Sequence, residues 1–117
     1  MNKNSVGYTL IWEKIDDMHS KVRHSALQNL VYLAQAQNSK GYTYIVKAAT
    51  NYGRRMNKSP FTELIFSMNT KWDTEIRLLA LQLINALIIK CPNESKLAKF
   101  IARLENIGLC DELRVLS

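Results

Sequence analysis

The sequence has few of the residues that interrupt helices or build special chemical sites. Four glycines and two prolines in 117 residues leave little material for turns, and an apolar fraction of 47% is high for a disordered chain. Two cysteines, Cys91 and Cys110, are too few for a disulfide framework or a zinc site. The opening residues, MNKNSVGYTL, contain no apolar segment long enough for a secretion signal. These shortages predict one compact, helix-rich domain in the cytoplasm.

Catalytic and metal-binding patterns are missing as well. The sequence contains no glycine-rich phosphate loop, no HExxH and no CxxC. His19 and His24 are five positions apart, which on a helix separates their side chains by about 140°, so that they cannot share a metal ion. We therefore expect no enzymatic activity, no cofactor and no metal site.

The charge is unbalanced, because 16 lysines and arginines face 10 acidic residues and give a net charge of +6. Such a balance permits binding to acidic partners or to an anionic membrane surface. The basic residues are scattered along the sequence rather than grouped in one run. We expect no binding to nucleic acid.

The longest apolar stretch runs from Asp73 to Lys90, DTEIRLLALQLINALIIK. Asp73 is a suitable N-cap, and the apolar residues fall on every side of the helix that follows. Arg77, Gln82 and Asn85 interrupt the stretch, which is also too short for a convincing membrane span. We expect this helix to be the centre of an all-helical core and to be covered on all sides.

Shorter apolar stripes predict the other helices. Asn38 to Gly41 is predicted as a turn, and Ser59-Pro60 as the start of a helix with serine as the N-cap. Asn93 is expected to cap a later helix, and Gly108 to follow its end. With the central helix, the predicted helices number about seven, and the others cover residues 8–15, 20–35, 42–55, 61–68, 94–106 and 111–116.

An internal repeat relates the two halves of the sequence without a gap, at an offset of 54 positions. The unit is a short helix, a turn, a long helix and a further helix, which predicts an armadillo- or HEAT-like α-solenoid with a right-handed superhelix. Two units are fewer than such folds normally need, so we expect cover from outside the chain or a homo-oligomer. The matched segments are Leu10-Ile11-Trp12 with Leu64-Ile65-Phe66, Val22-Arg23 with Ile76-Arg77, Ala26-Leu27-Gln28 with Ala80-Leu81-Gln82, and Leu33 with Leu87.

A candidate partner surface lies on the second helix, where Asn29, Tyr32 and Gln35 follow each other at helical spacing. This stripe is either a solvated helix face or a groove for a partner helix with Tyr32 as an anchor. The equivalent positions one repeat later are Leu83, Ala86 and Ile89, which predict a hydrophobic groove floor or core packing.

Several segments resemble the third formin-homology region of diaphanous-related formins: GYTYIVKAATNY, SPFTELIFSM, EIRLLALQLINALI and LENIGLCDELRVL. The earlier segment KVRHSALQNLVYLA is similar to the last armadillo unit of the adjoining GTPase-binding region. The resemblance implies a single armadillo-like domain fragment over residues 1–117. Within it, residues 10–40 would end the GTPase-binding region and residues 41–117 would form the third formin-homology region.

The resemblance also implies a function. Such a module regulates an actin-assembling protein at the actin cytoskeleton and holds an amphipathic helix from the formin's own C-terminus. A Rho-family GTPase releases that helix. The inhibitory groove is lined by the last helices of the repeats, which this interpretation places at Asn29, Tyr32 and Gln35. The alternative is a lipid-binding adaptor domain of the epsin or VHS type, because those domains share the short tryptophan-containing helix and the basic charge.

Overall fold

The structure is a computed structural model that describes residues 3–36 and 39–111, and the side chains of residues 7–35 and 40–111. The described residues contain helices, turns and loops but no strand, which confirms the all-helical class. A further helical turn begins at residues 109–111, whereas the rest of the helix predicted over 111–116 lies outside the described residues. The six helices are α1 (Lys3–Lys14), α2 (Ser20–Ala36), α3 (Ser39–Met56), α4 (Thr62–Phe66), α5 (Thr74–Lys90) and α6 (Glu94–Asn106).

The boundaries of α5 and α6 follow the capping residues in the sequence. The Asp73 carboxylate accepts a hydrogen bond from the Ile76 N–H at 3.0 Å, and the Asn93 side chain accepts one from the Lys96 N–H at 2.9 Å. Each bond satisfies a backbone donor that has no partner within the helix. Gly108 follows the end of α6 with φ +106°, a conformation that glycine adopts without strain. These three predictions are confirmed.

The connections on either side of α3 were predicted less well. α3 begins at Ser39 and includes Gly41, so the turn predicted over residues 38–41 is too long. The predicted helix start at Ser59-Pro60 is wrong, because α4 begins at Thr62 after Phe61, whose φ is 71°. No side chain caps this helix. The Phe61 ring is fully buried, and its burial offsets the cost of the left-handed backbone.

Gly53 allows the chain to fold back closely after α3. A Cβ atom at this position would lie 2.8 Å from the carbonyl oxygen of Lys58 and 3.2 Å from the nitrogen of Pro60. The helix continues past this glycine to Met56. The residue is required for a close approach of two backbone segments.

The six helices form two units, α1–α3 and α4–α6, which share one hydrophobic core. α2 packs along α5 and joins the units, while α1 packs on α3 and α2. Aromatic rings fill the space between them: the Phe61 ring lies 5.6 Å from that of Trp12 and 5.1 Å from that of Phe100. The stacking of two equivalent helical units is the solenoid arrangement that the internal repeat predicted.

The expectation that α5 is covered on all sides is wrong. One side is buried, and the other leaves Leu78 49% and Ile89 69% exposed. Among the described helices, α2 makes the most extensive contact with α5, and α3 makes a smaller one. No helix among the described residues is long and apolar enough to cross a membrane. The buried side comprises Ile76, Ala80, Leu83, Ile84, Ala86 and Leu87.

A buried arginine connects the two units. Arg23 of α2 has no exposed surface, and its Nη1 donates hydrogen bonds to the Ser67 hydroxyl and, at 3.4 Å, to the carbonyl oxygen of Glu63. Its Nε donates to the carbonyl oxygen of Asp17 at 3.3 Å. The guanidinium carbon lies 4.1 Å from the centre of the Trp72 ring. Charge-assisted bonds and ring stacking together fix α2 against α4.

Candidate partner-binding groove

The structure separates the residues predicted to bind a partner. Asn29, Tyr32 and Gln35 are exposed on α2, and Tyr32 is 69% exposed. Leu83 has no exposed surface, so of the two alternatives, groove floor and core packing, its position corresponds to core packing. Ala86, at 5% exposure, is also part of the core, whereas Ile89 faces solvent.

Half of the predicted set meets at one small hollow of about 110 Å³. Gln35 from the end of α2 lies there beside Ala86 and Ile89 of α5. Asn29 lines a different hollow, between α1 and α2. The predicted stripe on α2 therefore does not form one continuous surface with its equivalents on α5.

The unit boundaries identify the last helices of the two repeats as α3 and α6. α2, on which the predicted stripe lies, is the second helix of its unit. A hollow of about 260 Å³ opens between α3 and α6, and we call it the α3–α6 groove. It is lined by Tyr42, Thr43, Val46, Lys47, Phe61, Lys96, Lys99, Phe100 and Arg103.

The floor of the α3–α6 groove is aromatic. Tyr42, Phe61 and Phe100 are each less than a tenth exposed. The Phe100 ring lies edge-on to its two neighbours, with centroids 5.1 Å from Phe61 and 6.2 Å from Tyr42. Edge-to-face packing holds the three rings in fixed positions. The floor is thus a rigid apolar surface contributed by both units.

The rims of the groove are positively charged. Lys47 stands on α3, and Lys96, Lys99 and Arg103 stand on α6, all with exposed side chains. Among the residues that the structure describes, no carboxylate lies within ion-pair distance of these four cations. Their charges are therefore available to an acidic ligand.

The fold thus gathers basic residues that are scattered in the sequence. Lys96, Lys99 and Arg103 share one side of α6 because they are three and seven positions apart. Other cations are already neutralised: Arg55 pairs with Glu13, and Lys58 pairs with Asp16 and Glu63. The spacing along α6 could have been read from the sequence, but its position opposite Lys47 required the stacking of α3 and α6.

Tyr42 contributes an uncharged hydroxyl to the groove. Burial raises the pKa of Tyr42, and a hydrogen bond with Cys91 raises it further, although the positive charge of Arg103 opposes the shift. The phenol is consequently neutral at physiological pH. Among the described residues, no group of three or more histidine, cysteine, aspartate or glutamate side chains is arranged so that it could hold a metal ion. An apolar floor between cationic rims is suited to holding an amphipathic segment.

The family model for the FHOD1/3 FH3 domain matches residues 1–112. The chain therefore belongs to this family of formin regulatory domains, which are armadillo-like helical repeats. It is similar to Formin-G of Dictyostelium discoideum, with 26% identity over 107 residues, which is 92% of this chain and 10% of that relative. The chain spans about a tenth of the length of that curated relative. No solved structure matches the chain.

Proposed function

We propose that this FH3 domain restrains a formin by holding a helix from the formin's own C-terminus in the α3–α6 groove. The observation that carries the proposal is the aromatic floor between the last helices of both units, formed by Tyr42, Phe61 and Phe100, with cations on both rims. The membership of the chain in a formin regulatory family supports it. The division of the domain near residue 40 remains a prediction.

The form of the groove favours a helical ligand. A floor of three rings accepts apolar side chains that recur every three or four residues along one face of a helix. Lys47 on one side and Lys96 and Lys99 on the other meet carboxylates on the flanks of such a helix. Electrostatic attraction accelerates its association and excludes helices with basic flanks.

Two matched helical peptides test this proposal. Both carry the same leucine stripe, and their flanking positions carry glutamate in one and lysine in the other. We expect the full chain to bind the peptide with glutamate flanks. The peptide stands for the C-terminal helix of the formin that contains this domain, which we propose binds in the same way. The affinity should fall as salt rises, because exposed charges are screened. Equal binding of the two peptides would contradict the proposal.

Charge reversal locates the binding site. Lys99→Glu and Arg103→Glu should each weaken the acidic peptide by about tenfold, the factor that corresponds to roughly 1.4 kcal/mol. Lys21→Glu is the matched control, because Lys21 is exposed, lies on α2 outside the groove and changes the net charge equally. The same loss in the control would assign the binding to net charge alone.

We also propose that a Rho-family GTPase is the second partner and that its binding releases the C-terminal helix to permit actin assembly. Tyr32 and Gln35 are exposed outside the groove and are our proposed contacts for this partner. A large exposed aromatic residue is a common anchor of protein interfaces. GTP-loaded Rho-family GTPase should bind the wild-type chain more tightly than Tyr32→Ala, and release of a labelled peptide from the groove measures the coupling.

An anionic membrane is the second candidate for the basic rims. Cosedimentation with phosphatidylserine vesicles distinguishes a membrane from a peptide ligand. A flat bilayer surface contacts the charged rims but does not fill the aromatic floor, whereas an amphipathic helix contacts both. Vesicle binding without peptide binding would favour the membrane. We propose further that the domain has no catalytic activity and acts in the cytoplasm at the actin cytoskeleton.

A further inference from the structure

A second hollow, of about 450 Å³, lies between α1 and α2. It is not part of the α3–α6 groove and shares no lining residue with it. Its lining is mainly apolar at the base, with two lysines at the edge. The residues are Ile11, Lys14, Lys21, Val22, Ser25, Ala26 and Asn29.

The internal repeat shows what fills this hollow in the second unit. Five of the lining positions correspond, 54 residues later, to core residues with at most 4% exposure. The hollow of the first unit is therefore the place that is closed in the second. The five equivalents are Ile65, Met68, Ile76, Ala80 and Leu83.

The exposed apolar side chains around the hollow show the same difference. Leu10 is 56% exposed, whereas its equivalent Leu64 is fully buried. Met18 is 62% exposed, whereas its equivalent Trp72 is 7% exposed. Val22, at 36%, corresponds to the fully buried Ile76 in the same way. Three large apolar residues are thus exposed at positions where the repeat buries them.

The cover of the second unit is α2. This helix packs along α5. Its Arg23 bonds to Ser67 of α4 and stacks on Trp72. The next residue, His24, lies 3.2 Å from the carboxylate of Glu75 at the start of α5. An apolar stripe, a stacked arginine and one polar pair therefore define the helix that closes such a hairpin.

We infer that the face formed by α1 and α2 is a docking surface for the second helix of another helical repeat of this type. This occupant carries an apolar stripe like that of α2 and an arginine at the position of Arg23. Its guanidinium packs on Met18, the equivalent of Trp72, and Glu13 stands at the equivalent of Ser67 as an acceptor. In the second unit, Glu75 pairs with His24, the residue after the arginine. The position equivalent to Glu75 in the first unit is Lys21, so the occupant should carry a carboxylate after its arginine to pair with this lysine.

The probe is a synthetic α2 peptide of residues 20–36 with His24→Glu, stapled across its solvent side because an isolated helix of this length is marginally stable in water. It is added to the full 117-residue chain with labelled methionine, valine, isoleucine and leucine methyl groups. We expect saturable shifts at Met18 and Val22 and a rise in Tm from binding to the folded state. The peptide with Arg23→Gln should bind about tenfold more weakly.

Substitutions in the chain decide where the peptide binds. Val22→Asp should weaken binding about tenfold and leave the Tm of the free chain unchanged, because Val22 is exposed. Lys99→Glu, which alters the α3–α6 groove, should not change the binding of the α2 peptide. This variant therefore separates the present inference from the proposed function of that groove. Shifts at Ile76 and Leu83, which would show that the peptide displaces α2 itself, or the absence of saturation at millimolar peptide, would overturn the inference.

Discussion

The two helical hairpins, α1–α2 and α4–α5, share a sequence pattern but not a pattern of burial. Leu10 and Val22 of the first hairpin are exposed, and their equivalents Leu64 and Ile76 have no exposed surface. The difference arises because α2 covers the second hairpin, while no described helix covers the equivalent side of the first. A repeated sequence thus specifies which side of a unit can be buried, and its neighbours decide whether it is.

At the first helix of each unit the difference in burial is reversed, because here the residue of the first unit is the more buried one. Trp12 is fully buried, whereas its equivalent Phe66 is 38% exposed. α1 has 12 residues and packs along α3, so one full side of it joins the core, whereas α4 has only five residues. The two first helices have therefore diverged in length and in the residues that they bury.

The largest difference is expected for a leucine truncated in each hairpin. Leu64→Ala removes a fully buried side chain and should lower the free energy of unfolding by about 2–5 kcal/mol. Leu10→Ala should change it by no more than about 0.5 kcal/mol, because this side chain is already half exposed. Urea unfolding of both variants measures the difference. Equal losses would show that the two faces are equally covered in solution.

The equivalent arginines give the next largest difference. Arg23→Ala removes buried hydrogen bonds and the stacking on Trp72 and should cost about 2–4 kcal/mol. Arg77 is half-buried and donates from Nε to the Met68 carbonyl at 3.3 Å, so Arg77→Ala should cost about 1 kcal/mol or less. Thermal unfolding compares them. Arg23→Met should cost less than Arg23→Ala because methionine fills most of the space.

Substitutions at the N-terminal ends of α5 and α2 should change the free energy of unfolding by about 1 kcal/mol, with a loss at α5 and a gain at α2. Asp73 caps α5, so Asp73→Ala should destabilise the protein by about 1 kcal/mol. His19 occupies the equivalent position before α2, and its ring contacts Asp17 instead of the N–H of Val22. His19→Asn should stabilise the protein by about 0.5–1 kcal/mol by adding the missing cap. Denaturant midpoints test both changes, and a loss of stability in His19→Asn would show that the existing contact is the better cap.

The smallest effect concerns pH at the same turn. The hydrogen bond from the His19 N–H, followed by the bond from its ring, lowers the pKa of Asp17. A lowered pKa in the folded state stabilises the fold above the unfolded pKa, and this contribution disappears as the pH falls through the folded value. His19→Asn should move the pKa of Asp17 partly back towards its ordinary range, because the backbone bond remains. A carbon-detected NMR titration of the carboxyl group measures the shift, and Asp73 in the same spectra is the internal reference.

Local signals in the sequence predicted much of the fold. The caps Asp73 and Asn93 fixed the starts of α5 and α6, and the offset of 54 positions identified the two units. The start of α4 was predicted wrongly because the buried ring of Phe61 outweighs the preference of Ser59-Pro60 for a helix start. Local chemistry therefore predicts a boundary where a cap decides it and fails where tertiary packing does.

The candidate groove was harder to predict than the fold. The resemblance to formins pointed to the last helices of the repeats, but the expected residues were placed on α2, which is the middle helix of its unit. The cations of the α3–α6 groove come from segments about 50 residues apart, between Lys47 and Lys96. Their proximity follows from the stacking of the units and from no pattern within either helix. The stripe Asn29, Tyr32 and Gln35 remains a prediction of a partner surface.

The tight return of the chain after α3 connects stability to specificity. Gly53 lies against the backbone of Lys58 and Pro60, and the next residue, Phe61, forms part of the aromatic floor. Any larger residue at position 53 must push this segment outward and carry the phenylalanine ring with it. A substitution at position 53, which is not among the lining residues of the α3–α6 groove, would in this way change the shape of the groove floor. Variants at this glycine should therefore alter ligand recognition without changing the charged residues of the rims.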